Sequence, residues 1–203
     1  WTSGGSAANT IHGLAMLGAD TGFIGSIGRD DIGDFFEKDM KKAGVNTLLI
    51  RRNSPTGTAV ALVTQDSERT FATHLGAAIE LNSDDLNPLL FEGYDILYLE
   101  GYIINNLALV ETACSIAHSK NMLVALDLAS YNVVEEHKDP FLKIVSGYVD
   151  ILFANEQEAL AFTGLDGEKA LPSLSEMSPT VILKIGAEGS WLKTADETIK
   201  ISA

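Results

Sequence analysis

Short, nearly continuous apolar runs alternate with amphipathic stretches along most of this chain, and that alternation limits the architectures open to it. The runs at 95–99, 122–128, 150–154 and 181–185 carry no period-two pattern, which suits parallel strands covered on both faces. Between them lie helical stripes. From Ser6 to Leu17 the apolar residues Ala7, Ala8, Ile11, Leu14 and Ala15 share one face. After a run at 21–27, residues Ile32, Phe35, Phe36, Met40 and Ala43 form a second stripe. Its acids come early and its lysines late, and Gly44 ends it. A third stripe joins Leu107, Val110, Ala113, Cys114 and Ala117; further helices are expected over 140–145 and 156–162. Repeated strand–helix–strand order predicts an α/β fold with a mostly parallel sheet. Ligands in such folds bind at the carboxyl ends of the strands.

The stretch 46–74 breaks the pattern. It has little helical periodicity, and Thr, Val, Leu and Ile dominate it. Residues 58–64 and 69–74 flank Gln65-Asp66-Ser67-Glu68 and predict a β-hairpin, entered through the turn Pro55-Thr56-Gly57. The expected organisation is a main domain made of residues 1–45 and 76–203, with a small β insertion at 46–75.

Composition removes several function classes. The 203 residues carry 28 acids against 14 bases, a net charge of −14, and no basic stretch suited to nucleic acid. Cys114 is the single cysteine, so neither an intrachain disulfide nor a thiolate-rich zinc site is open to the chain. No apolar run reaches the roughly 18 residues of a membrane span, and no signal segment opens the chain, so a soluble, cytoplasmic protein is expected. The start at Trp1 and the strand-like run at 199–203 lead to the expectation of a fragment of a longer protein.

Common catalytic motifs are absent. The chain has no Gly-x4-Gly-Lys-Ser/Thr loop, no His-Glu-x-x-His and no Gly-x-Ser-x-Gly, and Gly25, Gly28 and Gly33 miss the dinucleotide spacing. Its histidines are scattered one to a segment, against a histidine metal site. Three junctions remain. Gly4-Gly5-Ser6-Ala7-Ala8-Asn9 opens a helix whose free N–H groups can receive an oxygen-rich ligand; the ordinary reading is a plain helix entry. Asn155-Glu156-Gln157-Glu158 follows an apolar run. Its spacing suits two residues orienting water around Mg²⁺, and it suits a capping box equally. Lys184-Ile185-Gly186-Ala187-Glu188-Gly189 turns a strand end through two glycines, which suits a nucleotide phosphate or simply a β-turn.

Taken in order, these junctions resemble the ribokinase-like, or phosphofructokinase-B (PfkB), carbohydrate kinases, which include adenosine kinases. Ile27-Gly28-Arg29-Asp30-Asp31-Ile32-Gly33 and Pro55-Thr56-Gly57-Thr58 belong to the same resemblance, which covers essentially the whole chain. The resemblance implies a three-layer α/β/α domain with a small β-sheet lid, and ATP-dependent phosphorylation of a hydroxymethyl group on a sugar or nucleoside. By it, Gly4, Gly5 and Asn9 would bind the acceptor. Asn155, Lys184, Gly186 and Gly189 would bind ATP, Glu158 would serve Mg²⁺, and 58–74 would belong to the lid. A homodimer through that lid is a further expectation. The family's Gly-Ala-Gly-Asp segment with its catalytic aspartate has no counterpart in these 203 residues, so no catalytic residue is assigned and the chain alone is expected to be inactive. Two other readings stand beside this one. A non-catalytic sugar- or nucleotide-binding protein of the same fold remains open, and a nicotinamide-dependent oxidoreductase fails on the missing glycine fingerprint.

Overall fold

A computed structural model describes residues 1–64 and 69–203. The chain divides into two compact units, Trp1–Leu90 and Phe91–Ala203.

The first unit opens with α1 (Ser6–Met16), β1 (Gly22–Gly28), α2 (Asp31–Lys42) and β2 (Asn46–Arg52). Strands β1 and β2 pair in parallel from Gly22 opposite Asn46 to Gly28 opposite Arg52, so α2 is the crossover between them. Local chemistry fixes the bounds of α2. The Asp30 side chain caps its start by accepting from the Gly33 N–H, Asp31 and Asp34 lie in its first turn, and Lys41 and Lys42 lie in its last. Gly44 follows with φ of 92°, a conformation that a side chain would oppose. Ala8, Met40 and Val45 are buried together, with Ile11, Phe23 and Phe36 packed against them. The predicted stripes therefore meet as core.

The hairpin follows as β3 (Thr58–Val63) and β4 (Arg69–His74), antiparallel, with Thr58 opposite His74 and Val63 opposite Arg69. Its turn at 65–68 lies outside the described residues. Every residue of β3 is exposed. Three 3-10 turns, Gly76–Glu80, Ser83–Asp85 and Pro88–Phe91, come next. The first two are fastened to the end of β2: Arg52 pairs with Asp85 and donates to the Glu80 carbonyl at 3.0 Å.

The second unit contains β5 (Ile96–Glu100), α3 (Leu107–Ser119), β6 (Leu123–Asp127), α4 (Tyr131–Glu136), α5 (Lys138–Tyr148) and β7 (Ile151–Asn155). It continues with α6 (Glu156–Thr163), α7 (Ala170–Ser175), β8 (Thr180–Lys184), β9 (Ser190–Lys193) and β10 (Thr198–Ile201). The sheet order is β10-β9-β8-β7-β6-β5; β5 to β8 run parallel, and the last two strands are antiparallel additions. Leu152, Ala154, Val181 and Leu183 are completely buried along β7 and β8. Helix α3 lies against β5 and β6, and α6 and α7 lie against β8. The buried apolar side chains of these strands and helices hold the carboxyl ends of four parallel strands in register. Cys114 is fully buried on α3 and burial pushes its thiol up to about 12, so it acts as a small hydrophobe. Among the described residues no helix is long and apolar enough to cross a membrane.

The α/β class with a mostly parallel sheet and a small antiparallel sheet is what the alternation predicts. Two short helices escape it. Tyr131–Glu136 and Ala170–Ser175 have six residues each, too few for a periodic stripe to stand out.

Candidate functional site

Four neighbouring parallel strands of the second unit end on polar residues: Glu100 on β5, Asp127 on β6, Asn155 on β7 and Lys184 on β8. Register places Glu100 opposite Asp127, and Asn155 opposite Lys184. Apart from Thr180 at the start of β8 and Tyr98 within β5, each strand is apolar until its last residue, so these polar groups emerge together at one edge of the sheet. Lys184 Nζ lies 2.6 Å from Asp127 Oδ2; the Asp127 side chain is 15% exposed and the Lys184 side chain 43%. The ammonium can therefore meet an anionic ligand while its carboxylate partner stays sheltered. Asp127 Oδ1 accepts from the Ala129 N–H at 3.0 Å, and Ala129 sits at φ of 67°, where a side chain is disfavoured. The Tyr98 hydroxyl donates to Glu100 at 2.8 Å.

The Asn155–Glu158 pair is a complete capping box. Glu158 Oε2 accepts from the Asn155 N–H at 2.7 Å and Oε1 from Asn155 Nδ2 at 2.7 Å; Asn155 Oδ1 accepts from the Glu158 N–H at 2.9 Å. Glu158 is nonetheless 2% exposed, unusual for a capping carboxylate. Burial pushes its carboxyl above the ordinary range. The Asn155 N–H and Lys184 oppose that, and the charges of Asp127 and Glu100 add to it. Tyr102 is also raised, first by burial and then by Glu100, Glu158 and Asp127. Several negative groups thus share this edge, with Lys184 among them.

The two glycines after Lys184 differ. A side chain at Gly186 would meet open space, although φ of 58° disfavours one. At Gly189 a Cβ would come within 1.9 Å of the Ile201 carbonyl oxygen, so the neighbouring strand β10 already demands glycine there.

In the first unit Gly5 is the N-cap of α1, with φ of 111° and no side-chain cap bond, and the first turn holds no acid. The Gly5 carbonyl accepts from the Asn9 N–H at 2.9 Å. Gly4 and Asn9 line a cavity of about 370 Å³ together with Trp1, His12, Phe35 and Asp39; Gly5 is not among its lining residues. The structure thus joins two of the three acceptor candidates at one cavity, and Gly5 supplies the turn that leads into it.

Sequence reasoning overlooked Glu100 and Asp127. Their signal was present: Glu100 closes the run Ile96-Leu97-Tyr98-Leu99, and Asp127 interrupts the run at 122–128 one residue before its end. Among the described residues no group of three or more His, Cys, Asp and Glu side chains is arranged to hold a metal ion.

A family model described as pfkB family carbohydrate kinase matches residues 2–203. An uncharacterized sugar kinase of Archaeoglobus fulgidus is 26% identical over 195 residues, covering 93% of this chain and 76% of that protein. Adenosine kinase from Sinorhizobium meliloti superposes with a TM-score of 0.93 at 31% identity, over 100% of this chain and 64% of the other. An E. coli protein assigned as ribokinase II, solved with ATP and Mg²⁺, superposes at 0.86 with 20% identity, over 98% of this chain and 67% of that one. The chain spans just under two thirds of the Sinorhizobium enzyme that it matches. With that family model matching along nearly its whole length, the chain belongs to the pfkB family of carbohydrate kinases.

Proposed function

We propose that the protein containing this chain transfers the γ-phosphoryl group of ATP to a hydroxymethyl group of a sugar or nucleoside. The observation that carries this reading is the half-exposed Lys184 ammonium, held by Asp127 beside the Asn155–Glu158 box at the carboxyl edge of a parallel sheet. Phosphoryl transfer depends on positioning and on charge stabilisation, and a preorganised cation at a strand end supplies both. In this reading Asn155, Lys184, Gly186 and Gly189 serve the nucleotide, Gly186 leaving room for it and Gly189 shaping the turn. Gly4, Gly5 and Asn9 orient the acceptor, with the Asn9 amide bonding a substrate hydroxyl. The exposed β3–β4 hairpin acts as a lid, and its exposed Val60, Leu62 and Phe71 support a covering or dimer-forming role.

The residues fit Mg²⁺ held through water better than through direct bonds. Both Glu158 oxygens already accept from Asn155, each keeping a lone pair, and the mutual repulsion of Glu158, Asp127 and Glu100 favours a nearby cation. Bound there, Mg²⁺ would offset charge on the transferred phosphoryl group. Glu158 and Asn155 would hold its hydration shell in place. The test is ATP consumption by the full-length protein with ribose, fructose and adenosine, beside Asn9→Ala. Acceptor-dependent turnover, with acceptor binding weakened about tenfold to a hundredfold in the variant and ATP binding unchanged, is the expected result. Nucleotide and sugar binding without turnover would favour the non-catalytic reading instead.

A further inference from the structure

A second polar cluster is contained in the first unit, at the end of β1, and has no part in the roles assigned above. Asp30 Oδ1 accepts from the Gly33 N–H at 2.8 Å and from the Thr56 hydroxyl at 2.6 Å; Oδ2 accepts from the Thr56 N–H at 2.8 Å. The Thr56 hydroxyl in turn accepts from the Gly28 N–H at 2.8 Å. Thr56 is 7% exposed and lies 26 residues beyond Asp30 in sequence. The backbones approach so closely that a Cβ on Gly28 would stand 2.6 Å from the Thr56 nitrogen. The returning chain is fastened to the same segment: the Pro55 carbonyl accepts from the Ala77 N–H at 2.8 Å, and Gly76 has no room for a side chain against that carbonyl.

These bonds sit where the chain enters and leaves the β3–β4 hairpin. Among the described residues every residue of β3 is exposed, so the packing of β3 itself does little to fix the hairpin. Its direction is therefore set at its base. Asp30 does two separable things there, capping α2 through Gly33 and gripping Thr56. A helix cap alone needs one carboxylate oxygen; here the second accepts from the Thr56 N–H.

We propose that Asp30 is a positioning residue, whose grip on Thr56 anchors the base of the β3–β4 hairpin and so sets how the hairpin covers a bound acceptor. The anchoring stands on the contacts within the first unit. The consequence for the acceptor rests on the kinase reading given above.

Asp30→Asn in the full-length protein separates the two jobs. Asparagine caps a helix as well as aspartate does, but its amide NH₂ would face the Thr56 N–H, donor against donor. Hydrogen exchange in 57–63 and 70–77 should accelerate about tenfold while 31–42 keeps its protection. The acceptor KM should rise about tenfold with the ATP KM unmoved. Thr56→Val should reproduce both effects, and Thr56→Ser, which keeps the hydroxyl, should not. Unchanged hairpin exchange, or acceleration confined to 31–42, would reduce Asp30 to a helix cap and overturn the anchoring. Faster hairpin exchange with an unmoved acceptor KM would overturn only the link to the acceptor. A full-length protein that turns over no acceptor would defeat the kinase reading, and the exchange data would still decide the anchoring.

Discussion

Asp30 in the first unit and Glu158 in the second both cap helices, yet their surroundings drive their carboxyls in opposite directions. Asp30 is partly open to solvent and accepts three hydrogen bonds. The Thr56 hydroxyl, the Thr56 N–H and the Gly33 N–H, in that order, hold it below its ordinary value of 3.8. Glu158 accepts two bonds, both from Asn155, and is almost wholly buried, so burial outweighs its donors and raises it above its ordinary 4.5. Donors to the charged form stabilise an ionised carboxylate; removal from water penalises it. A carboxyl whose ionisation the protein penalises, beside Asp127 and Glu100, is the better candidate for function. One that is satisfied on every side is the better candidate for architecture.

Truncation should separate the two most sharply. Glu158→Ala strands the Asn155 N–H and leaves a hole where a buried side chain stood, and should cost about 3 kcal/mol in urea unfolding. Asp30→Ala should cost less, roughly 1–2 kcal/mol, because the lost carboxylate is itself partly open to solvent and its removal leaves no deep cavity. Equal losses would mean that burial does not distinguish these caps.

The next contrast lies in pH. A carboxylate whose folded pKa is raised destabilises the ionised protein. Relative to Glu158→Gln, the parent should therefore gain stability as pH falls through the raised value towards 4.5. A lowered carboxylate does the reverse. Relative to Asp30→Asn, the parent's advantage should be full above 3.8 and vanish as pH falls below it. Denaturation midpoints of the three proteins across pH 3–8 check both signs, and slopes of the same sign would break the comparison. The smallest expected effect is on stability at neutral pH in Glu158→Gln. Losing one bond there is offset by removing a buried charge, so the change should stay within about 1 kcal/mol. The same variant should need several-fold more Mg²⁺ for half-maximal turnover in the full-length protein. A fallen melting temperature with an unmoved Mg²⁺ midpoint would leave Glu158 a helix cap and nothing more.

Much of the architecture was legible in the residues. The stripe Ile32, Phe35, Phe36, Met40 and the charges around it located α2, which forms over Asp31–Lys42. The apolar run at 181–185 located β8, which forms over Thr180–Lys184. The Asn155–Glu158 spacing announced a cap that is fully formed, because a capping box closes within one turn. Strand β2 was harder to read. Its Asn46–Arg52 segment was grouped with the hairpin that follows, whereas it pairs in parallel with β1. A short apolar run carries no information about which neighbour it will join.

What the sequence determined by itself is therefore what short-range physics governs: periodic burial, caps, turns and the alternation that specifies an α/β sheet. The tertiary structure alone decided which distant groups meet. Lys184 finds Asp127 across 57 residues, and Asp30 finds Thr56 across 26. No spacing rule links such positions. They are brought together by strand register and by backbone packing at Gly28, and Glu158 is raised by its near-complete burial in the folded second unit. Burial and long-range charge are properties of the packed fold, so the chemistry of these carboxylates had to wait for it.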